Sequence, residues 1–201
     1  MTLPLLLASA SPRRRELLER VGFELEVRTP DVDESVREGE VAAAYVTRIA
    51  HAKALAVARR PGQWVLAADT TVTVDGAILG KAESPEEAAK MLRWLSARTH
   101  QVLTAYVVVG ERDDKPVYAD ALVSTDVEFV DVDAATLADY VASGEWRGKA
   151  GAYAIQGIGC ALVREVRGSV TNVIGLPVVE VLATLRGLGG PVARLARGQP
   201  Q

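Results

Sequence analysis

Leu3-Pro4-Leu5-Leu6-Leu7-Ala8 runs into Ser9-Ala10-Ser11-Pro12-Arg13-Arg14 at the start of the chain, and the change of character between the two decides the fold. The apolar run predicts a buried strand. The small residues predict a turn, and Pro12 suits a first helical position because its fixed φ fits and its missing N–H loses nothing there. Ser11 is the expected N-cap. Arg13 and Arg14 then fall in the first turn, where cations face the positive end of the helix dipole. Either they point into solvent, or an anion sits between them and the free amides, and phosphate is the obvious anion.

Outward from this strand–turn–helix unit the pattern continues to alternate. The helix is expected to reach Val21 and stop at Gly22, and Phe23–Val27 reads as a half-exposed strand. The acidic loop Pro30–Ser35 leads to a helix over Glu40–Ala58, and Trp64–Ala68 forms a short strand that delivers Asp69 at its end. Asp75-Gly76 marks a tight hairpin between Thr71 and Leu79. Ser84, Pro85 and Glu87 form a helix start with a capping box. Gln101–Val109 and Ala121–Val130 read as strands about a polar turn at Glu111–Asp114. A helix over Ala134–Ser143, strands near Ala152–Ile155 and Ala161–Val166, and a helix over Pro177–Leu185 complete the expectation. The class is α/β with a mixed, twisted sheet and flanking helices, since adjacent hairpins argue against a purely parallel one. One domain is expected over 1–189, with a loose tail over 190–201.

Composition narrows the function. The 201 residues are 49% hydrophobic and 24% charged with net charge −3, which disfavours nucleic acid as a main partner. No apolar stretch reaches membrane-spanning length and no secretory signal is evident, so no membrane partner and a cytoplasmic location are expected. The single cysteine, Cys160, excludes an internal disulfide and is expected to be buried in its apolar run. His51 and His100 share no metal-binding spacing. Neither a dinucleotide fingerprint nor a G-x-x-x-x-G-K-[ST] loop is present, so any phosphate grip is built from other parts.

Those parts are scattered cations and carboxylates. Arg13 and Arg14 can make bidentate contacts, while Lys53 and Lys81 can act as point charges. Lys53 sits among Ala52, Ala54 and Leu55, where a snorkelling lysine would be ordinary. Gly80 gives the backbone at Lys81 room to approach a phosphate. Glu34 and Asp69 are candidate ligands for Mg²⁺ or Mn²⁺, although Asp31 and Asp33 are as acidic as Glu34. Asp69 could serve as a turn or cap residue instead. Gln156 carries both donor and acceptor atoms and could read a base edge or satisfy loop backbone.

Three runs occur in fixed order: the opening one, Ala67-Ala68-Asp69-Thr70-Thr71 with Gly80-Lys81, and Gly148-Lys149-Ala150-Gly151-Ala152-Tyr153-Ala154-Ile155-Gln156-Gly157. Together they resemble the Maf family of nucleotide pyrophosphatases from about Leu5 to Pro177, and the third run is similar to the branch that acts on dTTP and UTP. The resemblance implies a fold like that of inosine-triphosphate-type pyrophosphatases, with a nucleotide cleft between two closely joined lobes. It implies a divalent-metal-dependent hydrolase that cleaves a nucleoside triphosphate between the α and β phosphates, and a homodimer. Asp69 matches the proposed proton acceptor. Glu34, Lys53 and Lys81 match the polar site, Ser9, Arg13 and Arg14 the opening motif, and Arg13, Thr70 and Gln156 the positions tied to substrate choice. Ala154 departs from a glycine common in the motif, and His51 from a more usual charged residue. Two alternatives remain: a family branch acting on 7-methylguanosine triphosphate, and a non-enzymatic regulator of septum formation.

Overall fold

A computed structural model describes residues 3–193. Its frame is a seven-stranded mixed sheet in the order β2 (Leu25–Arg28), β1 (Leu5–Ala8), β3 (Val65–Val74), β5 (Thr99–Arg112), β6 (Lys115–Phe129) and β7 (Val163–Arg167), with β4 (Ala77–Leu79) paired to β3. Strand β1 lies parallel to β2 on one side and to β3 on the other. Strands β5, β6 and β7 continue antiparallel.

The unbroken apolar run of β1 has a direct cause in this arrangement. Leu5 and Leu7 face one core with Leu66, Ala68, Tyr106 and Val108, beneath α1 (Pro12–Arg20) and α6 (Val178–Leu188). Leu6 and Ala8 face the other with Val65, Ala67 and Ala105, beneath α2 (Ala42–Leu55). A strand covered on both sides has no polar face to alternate with. Beyond β1 the longer strands project into a third core, where Val72, Val102 and Phe129 meet α3 (Pro85–Leu95) and α4 (Ala134–Ala142). This second lobe and the first share β3, β5 and β6. α5 (Val170–Ile174) lies against β5 and β6 near their junction.

Several expectations change. Asp69 does not end a strand but sits within β3, because the β-branched run Thr70–Thr73 extends the pairing with β5 as far as Thr73. Asp75 and Gly76, both at positive φ, turn β3 into β4 (Ala77–Leu79). The β5–β6 turn contracts to Asp113-Asp114, also at positive φ. Ala152–Ile155 is not a strand: Gly151 and Ala152 adopt left-handed φ, and only Lys81 and Ala150 form an isolated bridge there. Cys160 is exposed, because it lies on a 3₁₀ turn (Ile158–Leu162) that turns Gly159 and Leu162 inward. The capping box holds in shifted form: Ser84 Oγ accepts from Glu87 N, while the Glu87 carboxylate accepts from Glu83 N. The helix expected over Pro177–Leu185 runs on through Gly187 to Leu188, and Gly190 N donates to Leu185 O. Of the tail expected over 190–201, residues 194–201 lie outside the described residues.

His100, near the start of β5, is buried against Phe129 and Tyr153, with its Nε2 2.9 Å from the Tyr153 hydroxyl. Burial pushes the imidazole down to about 4 from 6.5. Between those values the unfolded chain binds a proton that the folded protein refuses, so stability rises with pH across the window and falls as pH drops from 6.5 to 4. The His100 contribution lost over that range is about 3 kcal/mol. Urea unfolding at a series of pH values should show this loss in the wild type and a flatter profile in His100→Leu.

Candidate active site

The C-terminal ends of the parallel strands open at the junction of the lobes, the place where α/β sheets commonly bind ligands. A cavity of about 320 Å³ lies there. All nine residues singled out in the sequence line it: Ser9, Arg13, Arg14, Glu34, Lys53, Asp69, Thr70, Lys81 and Gln156. Lys149 joins them, so five cations face two carboxylates in a chain whose net charge is −3. Such a concentration of positive charge suits a polyphosphate.

At its centre Lys53 is not snorkelling. The α2 helix carries it inward, with only 8% of the side chain exposed, and Nζ lies 2.7 Å from Asp69 Oδ1 and 2.6 Å from Glu34 Oε1. Lys81, 63% exposed, approaches Glu34 Oε2 at 3.6 Å. Burial pulls the Glu34 pKa up, but the hydrogen bond and charge of Lys53, with the charge of Lys81, outweigh it and hold the carboxyl below its ordinary value. The structure also separates Glu34 from its acidic neighbours, since Asp33 Oδ1 accepts from Ser35 N and Asp31 does not line the cavity. Tyr45 and Arg48, one helical turn apart on α2, hold this loop: the Tyr45 hydroxyl donates to Glu34 O and Arg48 to Ser35 O. The sequence reading missed both, although their i,i+3 spacing places them on one helix face.

The two arginines of the opening motif divide in function. Arg13 is half-buried and makes one bond, Nε to Ile174 O at 3.3 Å. Arg14 is turned into the protein. Its Nε donates to Gly175 O at 2.8 Å, and its two terminal nitrogens donate to Ser9 Oγ at 3.1 Å and Thr70 Oγ1 at 2.9 Å. Burial lowers its pKa, partly countered by Asp69 and Glu34. Thr70 Oγ1 lies in turn 2.9 Å from Thr104 Oγ1, whose hydroxyl donates to Asn172 O. A buried polar seam therefore ties α1, β3 and β5 to the Asn172–Gly175 wall. Ser11 occupies the N-cap position without a side-chain capping bond, and its own N–H donates to Ser9 Oγ.

The third motif forms the opposite wall. Gly151 N donates to Leu79 O and Gly80 O, which docks the segment on the β4 end and sets Ala150 opposite Lys81. Burial, then the charge of Arg13, lowers the Lys149 pKa. Lys149 was legible as part of the motif but carried no assigned role. Tyr153, buried on His100, supports the wall, and exposed Gln156 stands where the cavity meets a shallower groove lined by Glu16, Arg20, Ile155, Val170 and Ile174. Ala154 needs no positive φ, so its departure from glycine imposes no backbone strain. His51 lies outside the lining, 3.3 Å from Asp120.

A family profile described as Maf-like protein matches residues 4–188. The chain belongs to this family. A dTTP/UTP pyrophosphatase of Anaeromyxobacter dehalogenans is 51% identical over 188 residues, covering 94% of this chain and 95% of the relative. Proteins of the same name from Myxococcus xanthus and Desulfotalea psychrophila are 48% and 42% identical, covering 94% and 90% of this chain and 94% and 93% of their own lengths. In this Maf-like chain the arginines predict different outcomes. Arg14→Met should cost about 2–3 kcal/mol of folding stability by stripping Gly175 O, Ser9 Oγ and Thr70 Oγ1 of a charged donor. Arg13→Ala, with one exposed-side bond to lose, should stay within about 0.5 kcal/mol of wild type in the same denaturant titration.

Proposed function

We propose that this protein hydrolyses dTTP and UTP to dTMP or UMP and pyrophosphate. The observation that carries the reading is the convergence of Arg13, Lys53, Lys81 and Lys149 with Asp69 and Glu34 on one cavity in a chain that shares its family and about half its residues with named dTTP/UTP pyrophosphatases. Arg13, Lys81 and Lys149 bind the phosphate oxygens. Ser9, Arg14 and Thr70 hold the cavity walls in place, and Thr70 influences substrate choice through Gly175, to whose carbonyl its hydroxyl lies at 3.2 Å. Gln156 presents an amide to the pyrimidine at the groove end. Asp69 positions the attacking water or takes its proton.

The donor set fits magnesium or manganese in one particular form. Among the described residues no group of three or more His, Cys, Asp or Glu could hold a metal, which excludes a full protein cage there. Asp69 and Glu34 supply two carboxylates, and magnesium commonly takes one or two together with water and substrate phosphates. When bound, such an ion neutralises phosphate charge and lowers the pKa of water. For the homodimer implied by the family, an available surface is the edge of β6 from Lys115 to Thr125, which no strand among the described residues pairs on the side where β7 takes Asp126–Phe129. Cytoplasmic placement follows from the supply of nucleoside triphosphates and the single cysteine. No described helix is long and apolar enough to cross a membrane.

A hydrolysis panel with product identification tests the reaction. Purified protein with Mg²⁺ or Mn²⁺ should release pyrophosphate and the monophosphate from dTTP and UTP, whereas release of orthophosphate and the diphosphate would defeat the bond assignment. Preferential turnover of 7-methylguanosine triphosphate would favour that family branch, and no turnover of any substrate a binding role. Asp69→Asn should lower kcat by roughly 10²–10³-fold while circular dichroism stays unchanged. Gln156→Glu should lower the pyrimidine-to-purine ratio of kcat/KM, and an unchanged ratio would remove Gln156 from base reading.

A further inference from the structure

Resting on the reading of the cavity as a metal-assisted triphosphate site, we propose that Lys53 occupies the divalent-cation position of the nucleotide-free protein. The metal then enters only with the polyphosphate, which takes Lys53 over as it arrives.

The ammonium lies between Asp69 and Glu34, the two carboxylates that would hold the metal, 2.7 Å and 2.6 Å from their oxygens. Lys53 and Asp69 expose only 8% and 10% of their side chains, so water screens the pair poorly. An ammonium has three donors, and these two carboxylates are the acceptors that the structure provides for it. A divalent ion arriving alone would have to share both carboxylates with the buried ammonium that already pairs with them. It would find no third carboxylate or imidazole among the described residues to offset the repulsion. A triphosphate removes both obstacles: its oxygens accept from Lys53, and they complete the metal's ligand set. Lys81 also meets Glu34, but at 3.6 Å and largely in solvent, so its charge is screened and free to swing away.

Mn²⁺ alone, added to the full-length nucleotide-free protein and followed by electron paramagnetic resonance, tests the proposal. Lys53→Gln should bind Mn²⁺ at least tenfold more tightly than wild type. Lys81→Gln should stay within twofold of wild type, and adding Asp69→Asn to Lys53→Gln should abolish the gain. Equal affinity in wild type and Lys53→Gln, or an equal gain in Lys81→Gln, overturns the proposal. A wild-type measurement covers the case in which Lys53→Gln does not fold. The lysine ammonium NMR signal of Lys53 should be unmoved by Mg²⁺ alone and shift when α,β-methylene-dTTP is added with it, and a shift with Mg²⁺ alone overturns the proposal. Loss of the function reading is recognised separately, as absence of dTTP and UTP turnover, and leaves the Mn²⁺ comparison between variants intact.

Discussion

One ammonium shared by two carboxylates governs the layout of this protein. Lys53 comes from α2, Asp69 from the middle of β3, and Glu34 from the loop after β2, so the triad fixes three separate segments to one point. Lys53 and Asp69 are far enough from water to be tolerated only as a pair, and removing one of two such partners costs about 3–5 kcal/mol. The loop carrying Glu34 has little apolar content of its own, and its position depends on this pairing and on the Tyr45 and Arg48 bonds to its backbone. Tethered in this way, a polar loop becomes a defined cavity wall.

A second constraint acts from the opposite side. The seam from Ser9 through Arg14, Thr70 and Thr104 to Asn172 runs beneath the cavity floor and carries no apolar stabilisation of its own. Polar chains bonded in this way rigidify their surroundings. Gly175, at φ +128, completes the seam by turning its carbonyl toward Arg14 and Thr70, and a side chain there would be strained. The division between the two arginines follows: Arg14 builds the wall, and Arg13, half-buried with a single bond to backbone, lines the cavity.

Much of this was legible in the sequence because local chemistry and fold agreed. Pro12, Asp75-Gly76 and Ser84-Pro85 announced a helix start, a hairpin and another helix start, and each lies where its residues require. Seven of the nine residues expected at the cavity lie in the three runs, and Glu34 and Lys53 join them from the acidic loop and α2. What sequence did not reveal depends on long-range contacts. Lys53 reads as an ordinary surface lysine until Asp69 and Glu34 are brought to it. Arg14 and Arg13 look equivalent until Gly175, 161 residues away, accepts from one of them. The strand expected over Ala152–Ile155 failed because glycine-rich composition permits the left-handed turn at Gly151 and Ala152 that docking on β4 demands. Cys160 misled for a related reason, since an apolar run on a 3₁₀ turn does not bury every member.

Where the nucleotide lies decides between a catalytic cavity and any other role for it. A crystal structure of the protein with Mn²⁺ and α,β-methylene-dTTP measures this directly. The account predicts manganese anomalous signal against Asp69 and Glu34, the triphosphate against Arg13, Lys81 and Lys149, and the thymine beside Gln156. Phosphates seated in the groove at Glu16 and Arg20, or a nucleotide bound away from the cavity altogether, would contradict it.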